Sequence, residues 1–228
     1  MRLDKFICKS TEFTNTEAIQ LIANQTVRVN DQIITDERSQ VHKNNTVTLN
    51  GAILKPRAFR YLLLHKPAGT ICSNKNEVYP SLFNCIDIDN IEELHIAGRL
   101  DADTTGLVLI TDDGHWSFNI TTPNKQCEKC YRVGLSRPIA DDVGKKFKQG
   151  IALQGETQLT RPAKLEVINP TEVYLTITEG KFHQVKRMFS AVGNRVVSLH
   201  RESIGKVTLD VGIGEWRHLT RDEVQSFI

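Results

Sequence analysis

No run of eighteen apolar residues occurs in the chain, so nothing in it reads as a membrane-spanning helix. The opening residues, Met1-Arg2-Leu3-Asp4-Lys5-Phe6, lack the long apolar region of a signal peptide, and a cytoplasmic location is expected. Cysteine is scarce: five residues, an odd number at irregular spacing, fit reduced thiols better than a disulfide framework. Neither sign of charge dominates, with 29 Lys and Arg against 27 Asp and Glu and a net charge of +2. That excess is too small to name a polyanionic partner. If nucleic acid binds, basic residues must be gathered locally, because phosphate contacts depend on placement and not on the total. Internal repeats and low-complexity segments are also absent. What remains is an ordinary globular composition, 39% hydrophobic and 25% charged, in 228 residues, enough for one large core or two domains.

Residues 98–107, Gly-Arg-Leu-Asp-Ala-Asp-Thr-Thr-Gly-Leu, place an Arg, two carboxylates and two Thr hydroxyls between glycines, just before the apolar run Leu107-Val108-Leu109-Ile110. A polar turn feeding a buried strand is where a rigid scaffold holds reactive side chains. Asp, Thr and Gly also make loops that only connect; the order of the residues is what raises this one. Asp101 and Asp103 invite a metal-site reading, but no third carboxylate or His lies at a convincing spacing. Cys127-x-x-Cys130 has no second pair to complete a zinc site, and it leads into an extended pattern where a thioredoxin-like motif would open a helix. No metal is expected.

Gly98-Arg99-Leu100-Asp101, followed by Thr104 and Gly106-Leu107, resembles the signature of the RNA pseudouridine synthases of the ribosomal small/large-subunit type. Four further segments fall in that family's order: Lys66-Pro67-Ala68-Gly69, Thr111-Asp112-Asp113-Gly114, Cys127-Glu128-Lys129 with Tyr131, and Gly180-Lys181-Phe182-His183-Gln184-Val185-Lys186-Arg187-Met188. The resemblance covers nearly the whole chain and departs from the family at His65, where Asn is usual. It implies that Asp101 is the catalytic nucleophile, that Tyr131 is the active-site Tyr, and that Arg187 is the basic partner of Asp101, fixing the carboxylate by paired hydrogen bonds. Arg99, Thr104, Lys66, His183, Gln184 and Lys186 are expected to hold the substrate. The reaction so implied detaches uracil from ribose at nitrogen 1 and rejoins it through carbon 5, with nothing gained or lost and no cofactor. A carboxylate suits it by attack at ribose carbon 1 or by addition at ring carbon 6, and both routes stay open. Rivals are a non-enzymatic RNA-binding or assembly factor and a hydrolase that leaves an abasic ribose.

Along the chain, Leu3, Phe6 and Ile7 keep helical spacing, and Thr14-x-x-Glu17 reads as a capping box opening a second helix on Ala18, Leu21 and Ile22. Short strands follow around Val27 and Val29 and at Val47-Thr48-Leu49, with turn signals at Asn30-Asp31 and Asn50-Gly51. This module, residues 1–56, resembles the RNA-binding domain of ribosomal protein S-four, although the Ser-Arg pair usual near the second helix is replaced around Thr14, Asn15 and Thr16. Arg2, Lys5 and Arg28 are its candidate phosphate contacts. Lys55-Pro56-Arg57 is read as the linker to a catalytic domain, residues 57–228. There, strand patterns at 61–64, 107–110, 133–135, 165–167 and 173–177 outnumber helical ones at 141–149 and around Val185, Met188 and Phe189. The expected fold class is therefore α+β, with a mixed, largely antiparallel sheet that the resemblance makes long and bent around a central cleft.

Three basic clusters, Lys125, Lys129 and Arg132, then Lys181, Lys186 and Arg187, then Arg195, His200 and Arg201, are read as an RNA-facing rim, with flipping of the target uridine as the access step. The run from Thr104 to Leu109 continued through Trp116-Ser117, together with the lack of a long basic C-terminal tail, favours a small-subunit (16S) ribosomal RNA substrate over a large-subunit one. That RNA, naked or in an assembling particle, is the one expected partner. A monomer is expected, since no hydrophobic surface stripe stands out.

Overall fold

The computed structural model describes all 228 residues, which divide into two compact units, Met1–Ala58 and Phe59–Ile228. No helix is long and apolar enough to cross a membrane. The first unit opens with α1 (Leu3–Ser10) and α2 (Asn15–Ala23), and Thr14 caps α2 in the reciprocal box with Glu17 that the sequence predicts. Strands β1 (Val27–Val29), β2 (Gln32–Ile33), β3 (Val47–Leu49) and β4 (Ala52–Ile53) form an antiparallel sheet in the order β2-β1-β3-β4. Its hairpins turn at Asn30-Asp31 and Asn50-Gly51, all four residues with positive φ, the conformation that matches the twist of paired strands. Leu3, Ile7, Ala18, Ile22, Val27, Val41 and Val47 fill a small core.

The second unit is built on a nine-stranded sheet. Along its main path lie β13 (Trp216–His218), β5 (Tyr61–Lys66), β7 (Thr105–Thr111), β11 (Val196–Ile204), β8 (Lys129–Leu135), β10 (Glu172–Ile177) and β9 (Lys164–Asn169), in that order. The short β6 (His95–Ala97) pairs with β7 and β12 (Val207–Thr208) with β11. Every pairing is antiparallel except β7 with β11. The α+β class and the mixed, largely antiparallel sheet agree with the expectation from sequence.

Both faces of the sheet centre are covered, which is why β5 and β7 read as unbroken apolar runs. Leu62, Leu64, Val108 and Ile110 point to one face, packed with Val143 and Phe147 of α4 (Val143–Gln149) and Val185, Met188 and Phe189 of α5 (Gln184–Ala191). Leu63, Leu107 and Leu109 point to the other, packed with Trp116 and Ile120 of α3 (Gly114–Thr121) and Val224 of α6 (Arg221–Gln225). The helix predicted from residue 141 begins two residues later.

The Thr111-Asp112-Asp113-Gly114 segment is structural. Asp113 caps α3 through the amides of His115 and Trp116 and accepts the Tyr61 hydroxyl, while Asp112 pairs with Arg60.

Candidate active site

Strand β7 has two partners on one edge. At Thr105 and Gly106 it runs beside β11; at residues 109–111 it runs beside β6. The loop 98–104 leaves β6 and returns to β7 at this fork, carrying Asp101. Gly106, at φ +112°, lets β11 approach: a Cβ there would sit 2.3 Å from the carbonyl oxygen of Arg201.

Arg201, 1% exposed, fills the fork. Its Nε donates to the Leu107 carbonyl at 2.7 Å, Nη2 to the Gly98 carbonyl at 2.7 Å, and Nη1 to the Tyr131 hydroxyl at 3.3 Å. One planar guanidinium thus ties both ends of the loop to β8, supplying the donors that a continuous ladder would have given. The sequence reading put Arg201 in an exposed RNA rim, and the burial overturns that. Lys129 is corrected likewise: it is buried, with its ammonium on the carbonyls of Ile120 and Cys127.

Lys66 is also fully buried, and its ammonium donates to the carbonyls of Pro67, Ala102 and Thr104 at 3.0, 3.2 and 2.8 Å. Burial pushes its pKa down. It braces the 98–104 loop from within and has no surface to offer a substrate, contrary to the expectation. The Gly69 amide on the Ala102 carbonyl and the Leu100 amide on Cys72 Sγ pin the same loop.

Asp101 emerges from this frame with its side chain 29% exposed. The cation on it is Lys186, whose Nζ lies 2.9 Å from one carboxylate oxygen; His183 Nε2 lies 3.4 Å from the other. Lys186 also reaches Asp103 at 2.7 Å. Burial works against the Lys186 charge, but the hydrogen bonds to Asp103 and Asp101 outweigh it and its pKa is raised; the same bond holds Asp103 below the usual carboxylate range.

The expected partnership of Asp101 with Arg187 is not formed. Arg187 turns to the other side of α5, onto Glu156 at 3.3 Å and the carbonyls of Phe182 and Gln154, and Glu156 is shared with Lys181 at 2.8 Å. The cause is helical: Lys186 and Arg187 stand about 100° apart around the axis, so one residue alone can face the carboxylate.

Arg99, Leu100, Asp101, Thr104, Tyr131, Ile177, Lys181, His183, Gln184 and Lys186 are among the residues lining an open cleft of about 450 Å³. Arg99 reaches it from an exposed position. Tyr131 is 7% exposed and forms its wall. Thr104 is buried, its hydroxyl bonded to Asp103. Gln184 is buried too and its amide is committed, accepting from the Lys181 amide and donating to Glu179, so it positions the 179–184 turn instead of holding a substrate. None of the five cysteines is in a disulfide. In the first unit, Arg2 donates through Nε and Nη2 to buried Asp4, Arg28 donates to the Asp31 carbonyl, and Lys5 is exposed.

A carboxylate on a pinned loop, a lysine shared across it, and an aromatic wall thus meet in a cleft at a split sheet. The family model described as RNA pseudouridylate synthase matches residues 60–191, an S4 domain model matches residues 1–47, and the chain belongs to the RNA pseudouridylate synthase family. Among its relatives, the ribosomal small subunit pseudouridine synthase A of Vibrio cholerae is 49% identical over 228 residues, 99% of either chain. The protein of that name from Escherichia coli is 46% identical over 231 residues, 100% of both. A crystal structure of a pseudouridylate synthase matches with a TM-score of 0.74 at 42% identity, covering 100% of each chain.

Proposed function

We propose that this RNA pseudouridine synthase isomerises a specific uridine of small-subunit (16S) ribosomal RNA, with Asp101 as the nucleophile acting on an extruded nucleotide. The names of the most similar relatives support the substrate. The observation that carries the mechanism is the Asp101 carboxylate, held by Lys186 and His183 at the cleft walled by Tyr131. In the overall change the bond from ribose carbon 1 to nitrogen 1 breaks and a bond from that carbon to ring carbon 5 forms. The proton on carbon 5 is lost and nitrogen 1 gains one. Asp101 holds the intermediate, on the sugar or on the ring, while the base turns. Lys186 orients the carboxylate, and an inserted uracil would cover the exposed part of Asp101 against Tyr131, excluding the water that would otherwise complete a hydrolysis. Arg99 is the free guanidinium at the rim that suits the extruded phosphate.

In this reading residues 1–56 guide the RNA through Arg2, Lys5 and Arg28, residues 57–228 catalyse, and the protein works as a monomer in the cytoplasm. The test is incubation with 16S RNA, naked and in small-subunit particles, in buffer containing a chelator, followed by carbodiimide mapping of modified uridines. One new site is expected, absent with Asp101→Asn. Free uracil would instead identify a hydrolase, binding without modification an assembly factor, and a site found only in large-subunit RNA a different substrate.

A further inference from the structure

We propose that Phe182 is a stacking platform for the nucleobase next to the extruded uridine, an inference that rests on reading the Asp101 cleft as the uridine site. Phe182 is 76% exposed, the most exposed aromatic side chain of the chain. Scattered exposed apolar residues are ordinary on a protein surface. This one differs in what lies beneath it and around it.

Its ring stacks on the His183 imidazole, with centroids 3.8 Å apart and planes 21° from parallel. The same imidazole is 3.4 Å from Asp101. Carboxylate, imidazole and phenyl are therefore consecutive contacts, and the phenyl ring is one side chain removed from Asp101.

The backbone beneath is fixed. The Phe182 carbonyl accepts from Arg187 at 3.0 Å, the Lys181 amide donates to Gln184 Oε1 at 2.9 Å, and His183 holds the left-handed conformation at φ +46° that turns the pair outward. A rigid aromatic shelf loses little entropy when a ring settles on it.

The neighbours favour a base over a protein partner. Phe182 stands beside Lys181, His183 and Arg187, the first and last sharing Glu156, whereas a protein interface core is depleted of charge. Single-stranded RNA is held by π-faces beside cationic groups. Extruding one nucleotide strips its neighbour of a stacking partner, and Phe182 would replace that partner. Because every base has a π-face, the platform adds affinity without reading identity.

The experiment uses the full-length protein and a 16S RNA fragment containing the mapped uridine, with 2-aminopurine in the adjacent position as a fluorescent reporter. The wild type's yield of pseudouridine is read first. None formed would overturn the reading of the cleft and the platform with it. With pseudouridine formed, Phe182→Ala should weaken RNA binding about ten-fold or more, raise KM more than it lowers kcat, and abolish the quenching of 2-aminopurine, while Phe182→Trp restores all three. Unchanged affinity in Phe182→Ala, or failure of Trp to restore it, overturns the platform alone.

Discussion

Lys186 and Arg187 differ in what their charges can reach. The lysine is a point charge on a flexible stem and bridges Asp101 and Asp103; the arginine fork spreads over Glu156 and two carbonyls. Lys186→Met should therefore lower the single-turnover rate about 100-fold, the scale for losing one charged partner of the reacting group. Arg187→Met should act mainly on stability, through Glu156 and the 179–184 turn. The reverse ranking, read by single-turnover kinetics and thermal melting of both variants, would restore Arg187 to the place the family resemblance implies. The sequence could not choose between adjacent residues: both lie in the matched segment, and the left-handed turn at His183 that sets the phase of α5 is not encoded by a glycine. Arg201 was hidden for another reason. Its backbone partners lie 94 and 103 positions away, so in sequence it is one more basic residue in a strand. The loop that carries Asp101 is legible as a polar turn because its signals are local, bracketing glycines and the buried strand that follows.

Among the elements, those with local causes could be read beforehand. The capping box of α2, the Asn30-Asp31 and Asn50-Gly51 hairpins and the apolar runs of β5 and β7 each follow from a few adjacent residues. The parallel approach of β11 to β7 does not, since it joins residues nearly a hundred positions apart. Gly106 marks where that approach is closest. Gly106→Ala should cost about 3 kcal/mol or more, because the new methyl meets the Arg201 backbone and the φ of +112° is strained for alanine. Urea denaturation would measure it. A loss below about 1 kcal/mol would mean that β11 can withdraw without harm, and that the fork is looser than its hydrogen bonds suggest.

For the molecule as a whole, acid stability depends on a charge cluster far in sequence from Asp101. Arg217 pairs with Asp210 at 2.8 Å and Glu223 at 2.7 Å, holding α6 to β13. The hydrogen bond from Arg217 draws the Glu223 pKa down to about 2, from the ordinary carboxylate value of 4.5. A folded pKa below the unfolded one gives stability that is complete above about 4.5 and disappears as pH falls through about 2. Melting temperatures measured from pH 5 to pH 2 should thus fall less steeply in Glu223→Gln, which starts lower at pH 5; parallel curves would refute the assignment. The fork filled by Arg201 carries a different consequence. The loop of residues 98–104 shares its bolts with the central sheet, since Arg201, Lys66 and the Gly69 amide all bind its carbonyls. If Asp101 acts as proposed, it does so from a loop fixed to the sheet, and the distortion needed to bring sugar and base into place falls on the nucleotide.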